Sequence, residues 1–497
     1  MQQSHFDRAR MPPDGGQRLI NLEQDLRPTN LVERVRANVL ADRHGAFDLD
    51  DIELDNADNT NNIQAAMARA DQFATELGSA VAADSAALEE LLPELALGGL
   101  RIWHFARGLA QGSSNSRSMW DRLVSQLGDL QESQREPQVL RGFLAEGWEH
   151  DESFANDLLE QSLRDPVLMP FFPVLQSAVP IDQTGIERLK RSMGFEPIPV
   201  RMYRSLVFGR VTDNIPGPDF KELIVQIAAK PEGLEVATEI LAMRFFADGQ
   251  DQREHDAEAK EAGREILRHL TFRRNPHRDE YNLGRLIAAC LSGSDGAPVA
   301  VEIVLRLKEA VARRETYAFY HDGLLEALCA AQPFAVLNAL FPAEIEDHEA
   351  SIELVETRSE HRKHPLDAIS PADLVSWCEQ LPEPRFHLTA SMVTLARRPQ
   401  SPGPLEWTPQ ALALLAAAPD PRTILQTFIA RFRPSGWSGS LASTMEQNMT
   451  LLDQLGSDLD PSLAELVNEA RARLRREIEE RRRYETERER ADNERFE

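Results

Sequence analysis

Lysine is almost missing from this chain: six residues (Lys190, Lys221, Lys230, Lys260, Lys308 and Lys363) supply all the lysine among 55 basic side chains in 497 positions. The arginine excess reads as a GC-rich bacterial coding bias rather than as chemistry. None of the six follows a glycine or precedes a serine or threonine. That excludes a P-loop, in which the lysine reaches the phosphates and the hydroxyl holds magnesium. Cysteine is equally scarce. Cys290, Cys329 and Cys378 are odd in number, far apart and set in apolar helical contexts, which excludes a disulfide framework and points to a reducing cytoplasm. No apolar run approaches the roughly 18–20 residues of a membrane span; the longest, Ala411 to Ala418, is one short helix. Met1 to Arg10 is polar without an apolar core, so no signal peptide is expected. Basic excess is lacking too: a net charge of −26 and a pI near 5.0 argue against non-specific binding to nucleic acid and would repel anionic lipid.

Alternating polar and apolar residues are also absent over any length that would build a sheet. What is present is helical spacing. Phe220, Leu223, Ile224, Ile227 and Ala228 line one helix face, Pro231-Glu232-Gly233 breaks it, and Leu234, Ala237, Leu241 and Phe245 begin a second stripe. So short a turn sets the two helices antiparallel. Similar stripes recur along much of the chain. Prolines stand at helix starts (Pro298, Pro333, Pro371, Pro409, Pro421, Pro461), where their missing amide is harmless. Ser370, Thr408, Asp420 and Asp460 precede four of them as N-caps. The helix onsets are irregular, which disfavours tetratricopeptide or ankyrin arrays. The fold expected is all-α: an α-solenoid of irregular HEAT/armadillo-like antiparallel helix pairs with a long charged C-terminal helix.

Four segments follow from the spacing. Residues 1–62 form a polar entry, a short helix capped at Thr29 or Asn30 and an acidic loop. Residues 63–195 are an N-terminal helical block, bounded by the proline-broken stretch Gly194 to Val200. Residues 196–460 are a C-terminal HEAT-like block. Residues 461–497 are the charged helix, whose stripe of Leu463, Leu466, Val467, Ala470, Leu474 and Ile478 fades into alternating arginine and glutamate, a distal half read as projecting into water.

Motifs that would carry chemistry fail one by one. Asp219, Glu258 and Lys260 spell a nuclease pattern, but Glu258 and Lys260 sit two apart on a helix and diverge. Gly436-Trp437-Ser438-Gly439-Ser440 lacks the last glycine and preceding strand of a nucleophile elbow; it reads as a loop in which Trp437 anchors and Ser438 or Ser440 caps. Asp48, Asp50, Asp51, Glu53 and Asp55 lack the ligand spacing and glycine of a calcium loop. His255, His269 and His277 are scattered, and the His361–His364 run lacks cysteine or acid partners for zinc. No metal or cofactor is expected. The basic loops Arg273, Arg274, His277, Arg278 and His361, Arg362, His364 remain as candidate partner contacts.

Two stretches carry a family resemblance. Gly233-Leu234-Glu235-Val236-Ala237-Thr238-Glu239-Ile240-Leu241-Ala242-Met243-Arg244-Phe245-Phe246 is one. Phe432-Arg433-Pro434-Ser435-Gly436-Trp437-Ser438-Gly439-Ser440, with the closing Asp492-Asn493-Glu494-Arg495-Phe496-Glu497, is the other. They resemble the helical-repeat regions at the C-terminal ends of large bacterial multidomain proteins, including STAND-type NTPases linked to antiphage defence. The resemblance implies a sensor or interaction region that engages a protein ligand or a neighbouring subunit. Three readings stay open: a non-catalytic solenoid that binds protein in a defence or signalling assembly, a regulatory region joined to an NTPase or effector, and an enzyme without a recognisable motif.

Overall fold

A computed structural model describes residues 17–18, 21–22, 28–41, 59–272, 280–343, 348–356, 364–398, 403–434, 439–455 and 460–494. It divides into two compact units, Met1–Ala247 and Asp248–Glu497. The fold is all-α. Among the described residues the only sheet is a two-residue antiparallel ladder, β1 (Ala396–Arg397) with β2 (Glu406–Trp407). Its effect is local: it seats Trp407 in the core, where the indole donates to the Leu451 carbonyl at 2.8 Å and packs near Phe428 and Phe432. No described helix is long and apolar enough to cross a membrane.

The first unit opens with α1 (Leu31–Val35), capped by Asn30, whose side chain accepts from the Glu33 amide. Then come α2 (Asn59–Ala83), α3 (Ser85–Leu95), α4 (Ile102–Gly112), α5 (Ser116–Asp129), α6 (Gln138–His150) and α7 (Glu152–Ser162). After the proline-rich stretch follow α8 (Phe172–Gln176), α9 (Gln183–Ser192), α10 (Gly217–Ala228) and α11 (Gly233–Gln250). The helices α2, α4, α6 and α8 pack each on the next but one. Where α2 crosses α4 the backbones nearly touch: a Cβ on Gly78 would lie 2.0 Å from the Phe105 carbonyl oxygen, and one on Gly108 would lie 1.9 Å from that of Thr75.

The stretch from Asp165 to Pro173 is buried only in part, at Leu168, Phe171, Phe172 and Pro173, while Pro166 is exposed, and it is not plain coil. It winds through a 3₁₀ turn (Met169–Phe171) into α8, because Pro170 and Pro173 fall at helix-starting positions. The predicted hairpin of α10 and α11 forms. The Arg244 guanidinium, late in α11, lies 5.3 Å over the ring of Phe220 in the first turn of α10, so the second helix runs back along the first. The two residues that make the turn have separate roles. Glu232, not Gly233, takes the left-handed conformation, at φ 61°. Glycine is needed at 233 because a Cβ there would strike the Ile227 carbonyl oxygen at 1.8 Å.

The second unit contains α12 (Ala257–Leu267), α13 (Glu280–Leu291), α14 (Ala297–Ala312), α15 (Asp322–Ala331), α16 (Pro333–Leu340) and α17 (Glu349–Val355). It continues with α18 (Pro371–Glu379), α19 (Pro382–Met392), α20 (Pro409–Ala417), α21 (Pro421–Ala430), α22 (Leu441–Met449) and α23 (Pro461–Glu494). Here too helices meet at every second position. The helices α12, α14, α16, α18 and α20 contact in succession, as do α13 with α15 and α19 with α21 and then α23. All four proline-preceding caps form: Ser370, Thr408 and Asp420 accept the amide three residues on, and Asp460 accepts from Ser462. Ser440 caps α22 through the Ser443 amide, while Trp437 and Ser438 lie outside the described residues.

The charged helix departs from the sequence reading. Leu466, Val467, Ala470, Leu474 and Ile478 are buried as predicted, yet docking continues past the stripe. Glu485 accepts from the Ser440 hydroxyl at 2.6 Å and from the amides of Leu441 and Ala442 at 2.9 and 3.2 Å, so a carboxylate from α23 sits on the positive N-terminus of α22. Arg482 adds an ion pair to Glu446 at 2.6 Å. Charge attaches this half of the helix where apolar residues have run out.

Candidate functional site

A polar cleft of the first unit lies where α4, α5, α6 and α7 meet. Phe143, Glu146, Gly147 and His150 fall at i, i+3, i+4 and i+7 of α6 and so share one face. Arg107 and Gln111 are one turn apart on α4. The α6 face and Gln111 line a cleft of about 420 Å³, completed by Ser113, Ser116, Arg117, Asp151 and Phe154. Glu146 is only 3% exposed. Its carboxylate accepts from Arg107 Nε at 2.7 Å and Gln111 Nε2 at 2.8 Å, and the His150 ring nitrogen Nδ1 lies 3.4 Å away. A carboxylate taken so far from water is tolerated only with such donors in place. Arg107 also reaches Glu149 at 2.9 Å, which fixes the guanidinium between two acids. Arg117 forms the wall toward a second, shallower hollow of about 620 Å³ over Trp120, Val124 and Leu158, and is itself held by Asp121 and Gln161.

Sequence spacing alone does not reveal this cleft, because its walls come from four successive helices. One local signal was there: Glu146 continues the apolar face of Val139, Leu140 and Phe143, and an acid on a buried face needs a partner.

The predicted contact residues fare differently. Arg273, Arg274, His277, Arg278, His361 and Arg362 lie outside the described residues. His364 is described, and it is not an exposed contact. It is buried at 9% exposure, and its Nδ1 accepts the Leu366 amide to cap a 3₁₀ turn (Pro365–Ala368). Burial, helped by the charge of Arg431, pushes its imidazole down to about 4. The run of basic letters around it hid the apolar segment it leads into, with Leu366 and Ile369 both buried. Nearby, Asp367 accepts from Thr394 at 3.0 Å, and burial moves its carboxyl up from the ordinary range. Gln410 donates to the carbonyls of Asp367 and Ile369. This node stitches together the segment that follows α19, the first turn of α20 and the 3₁₀ turn.

Among the motifs, Asp219 is paired with Lys190 at 2.8 Å. The acidic run from Asp48 to Asp55 lies outside the described residues. Among the described residues no group of three histidine, cysteine, aspartate or glutamate side chains is arranged as for a metal ion. The three thiols are buried and pushed up by that burial, Cys290 and Cys329 to about 12 and Cys378 to about 11. A second surface feature went unread in the sequence. Tyr317, Phe319 and Tyr320 cluster after α14, with the rings of Tyr317 and Phe319 stacked at 5.5 Å and Phe319 46% exposed. No family model matches the chain, and neither a curated protein nor a solved structure matches it significantly.

Proposed function

We propose that this chain is a non-catalytic helical-repeat scaffold, an α-solenoid of irregular HEAT/armadillo-like hairpins, that binds protein in a bacterial defence or signalling assembly. The observation that carries the reading is the packing of every second helix in the second unit, α12 on α14 on α16 on α18 on α20. Stacking of that kind lets each hairpin bury its apolar faces on its neighbours alone. The faces left over are then available to a partner. The exposed ring of Phe319, stacked on Tyr317 and tilted against Tyr320, supports such use, because aromatic side chains dominate the binding energy of protein interfaces. The defence setting draws its support from the sequence resemblance. The test is affinity purification of the tagged chain from its native host, with and without phage challenge. A partner enriched in stoichiometric amount, and cross-linked to one face, supports the reading. A prey list of general chaperones alone counts against it.

A further inference from the structure

We infer that the cleft between α4, α5, α6 and α7 is a receptor for one basic side chain, a guanidinium or ammonium group on an aliphatic stem, carried by the protein partner. The inference rests on the protein-binding reading and names the chemistry of what is bound.

Three observations converge on a cation. The first is charge. Of the residues that line the cleft, Glu146 and Asp151 bring two carboxylates against the one guanidinium of Arg117, and the Arg107 guanidinium outside the lining is held between Glu146 and Glu149. Asp151 gives one oxygen to the Phe154 amide as the cap of α7, and the same carboxylate borders the opening. The second is the wall. Phe143 is fully buried, but Phe154 lines the same space half-buried, and its ring attracts a cation while covering the methylene stem. The third is room. The space of about 420 Å³ falls within the range of small-molecule sites and exceeds what one long side chain fills. Gly147 keeps that space open. A Cβ added there would meet only the Phe154 ring, at an ordinary 3.8 Å, so α6 needs no glycine for its own packing. Glu146 lies one residue before it on the same wall, locked by Arg107 and Gln111 so that its carboxylate does not have to reorganise when a cation arrives.

The experiment is isothermal titration of the full chain with butylguanidinium and with its neutral isostere butylurea. The variants are Gly147→Leu, which fills the cleft from a position that tolerates a side chain, and Asp151→Asn, which keeps the cap of α7 and removes the charge. Unchanged circular dichroism certifies that each variant is folded. The wild type is expected to prefer butylguanidinium at least tenfold. Gly147→Leu should lose that binding more than tenfold, and Asp151→Asn should weaken it severalfold. Equal affinity for the two probes, or wild-type binding by folded Gly147→Leu, overturns the proposal. Capture from the host separates it from the reading beneath it. If wild type and Gly147→Leu capture the same protein equally, the cleft proposal falls and the scaffold stands. If butylguanidinium binds as expected but no protein is captured, the cation site stands and the scaffold reading falls.

Discussion

The crossing of α2 and α4 permits one substitution to be worked through to its sign. Replacing glycine by alanine inside a helix ordinarily stabilises by about 1 kcal/mol, because glycine loses more backbone freedom on folding. At Gly78 the new methyl would lie 2.0 Å from the Phe105 carbonyl oxygen and 2.8 Å from the Leu109 amide nitrogen. Both are backbone atoms of a second helix and cannot swing aside. Relief needs roughly 1 Å or more of separation between helices whose facing side chains (Ala74, Leu77, Val81, Phe105, Leu109) are all buried, and gaps of that size forfeit a large part of each dispersion contact. Overpacking against a rigid neighbour stands at the upper end of the usual range, about 3 kcal/mol. After the propensity gain, Gly78→Ala should destabilise the first unit by about 2 kcal/mol. Gly147→Ala, which meets only Phe154 at 3.8 Å, should stabilise by up to about 1 kcal/mol. Urea unfolding followed by far-ultraviolet circular dichroism measures both. Two shifts of the same sign would refute the reasoning, since it assigns opposite signs to one chemical change.

Other outcomes follow from individual contacts. His364 titrates near 4 when folded against 6.5 in its ordinary state, so between those pH values the unfolded chain binds the extra proton. Stability from this group is complete above pH 6.5 and declines toward pH 4, by roughly 3 kcal/mol in all; His364→Asn, which keeps an acceptor for Leu366, should flatten that slope in pH-dependent unfolding. For Glu485, burial pushes the carboxyl up, but the Ser440 hydroxyl and the amides of Ala442 and Leu441 outweigh it and hold the group below its ordinary 4.5. Its contribution is therefore present above pH 4.5 and lost as the pH falls further, and Glu485→Gln should speed hydrogen exchange at the start of α22 at neutral pH, with unchanged exchange there contradicting the docking. Ser370→Ala removes the cap of α18 and should lower stability by about 1 kcal/mol in thermal unfolding. The three thiols should stay unreactive toward a disulfide reagent until the chain is unfolded, because burial raises all three.

The helices were legible because their signals are local. Proline at a helix start and an oxygen one residue earlier are features of adjacent positions, so the caps at Ser370, Thr408, Asp420 and Asp460 could be read directly. The stripe from Leu466 to Ile478 was legible for the same reason. What could not be read depends on a partner distant in sequence. Gly78 looks like a weak helix residue until Phe105 is seen against it. Glu485 is one acid among many until the amides of Leu441 and Ala442 point at it. Glu146 reads as one more acid beyond the apolar residues of α6 because the arginine that satisfies it lies 39 residues earlier. His364 seemed exposed because its neighbours in sequence are basic, whereas its neighbours in space are apolar or already paired.

Native-state hydrogen exchange of the intact chain under rising urea tests most directly whether the second unit is a stack held by neighbours. If each hairpin relies on the next alone, α22 and α23 should open at low free energy, and opening should spread stepwise toward α12. A single common free energy for the amides of every helix from α12 to α23 would contradict the account.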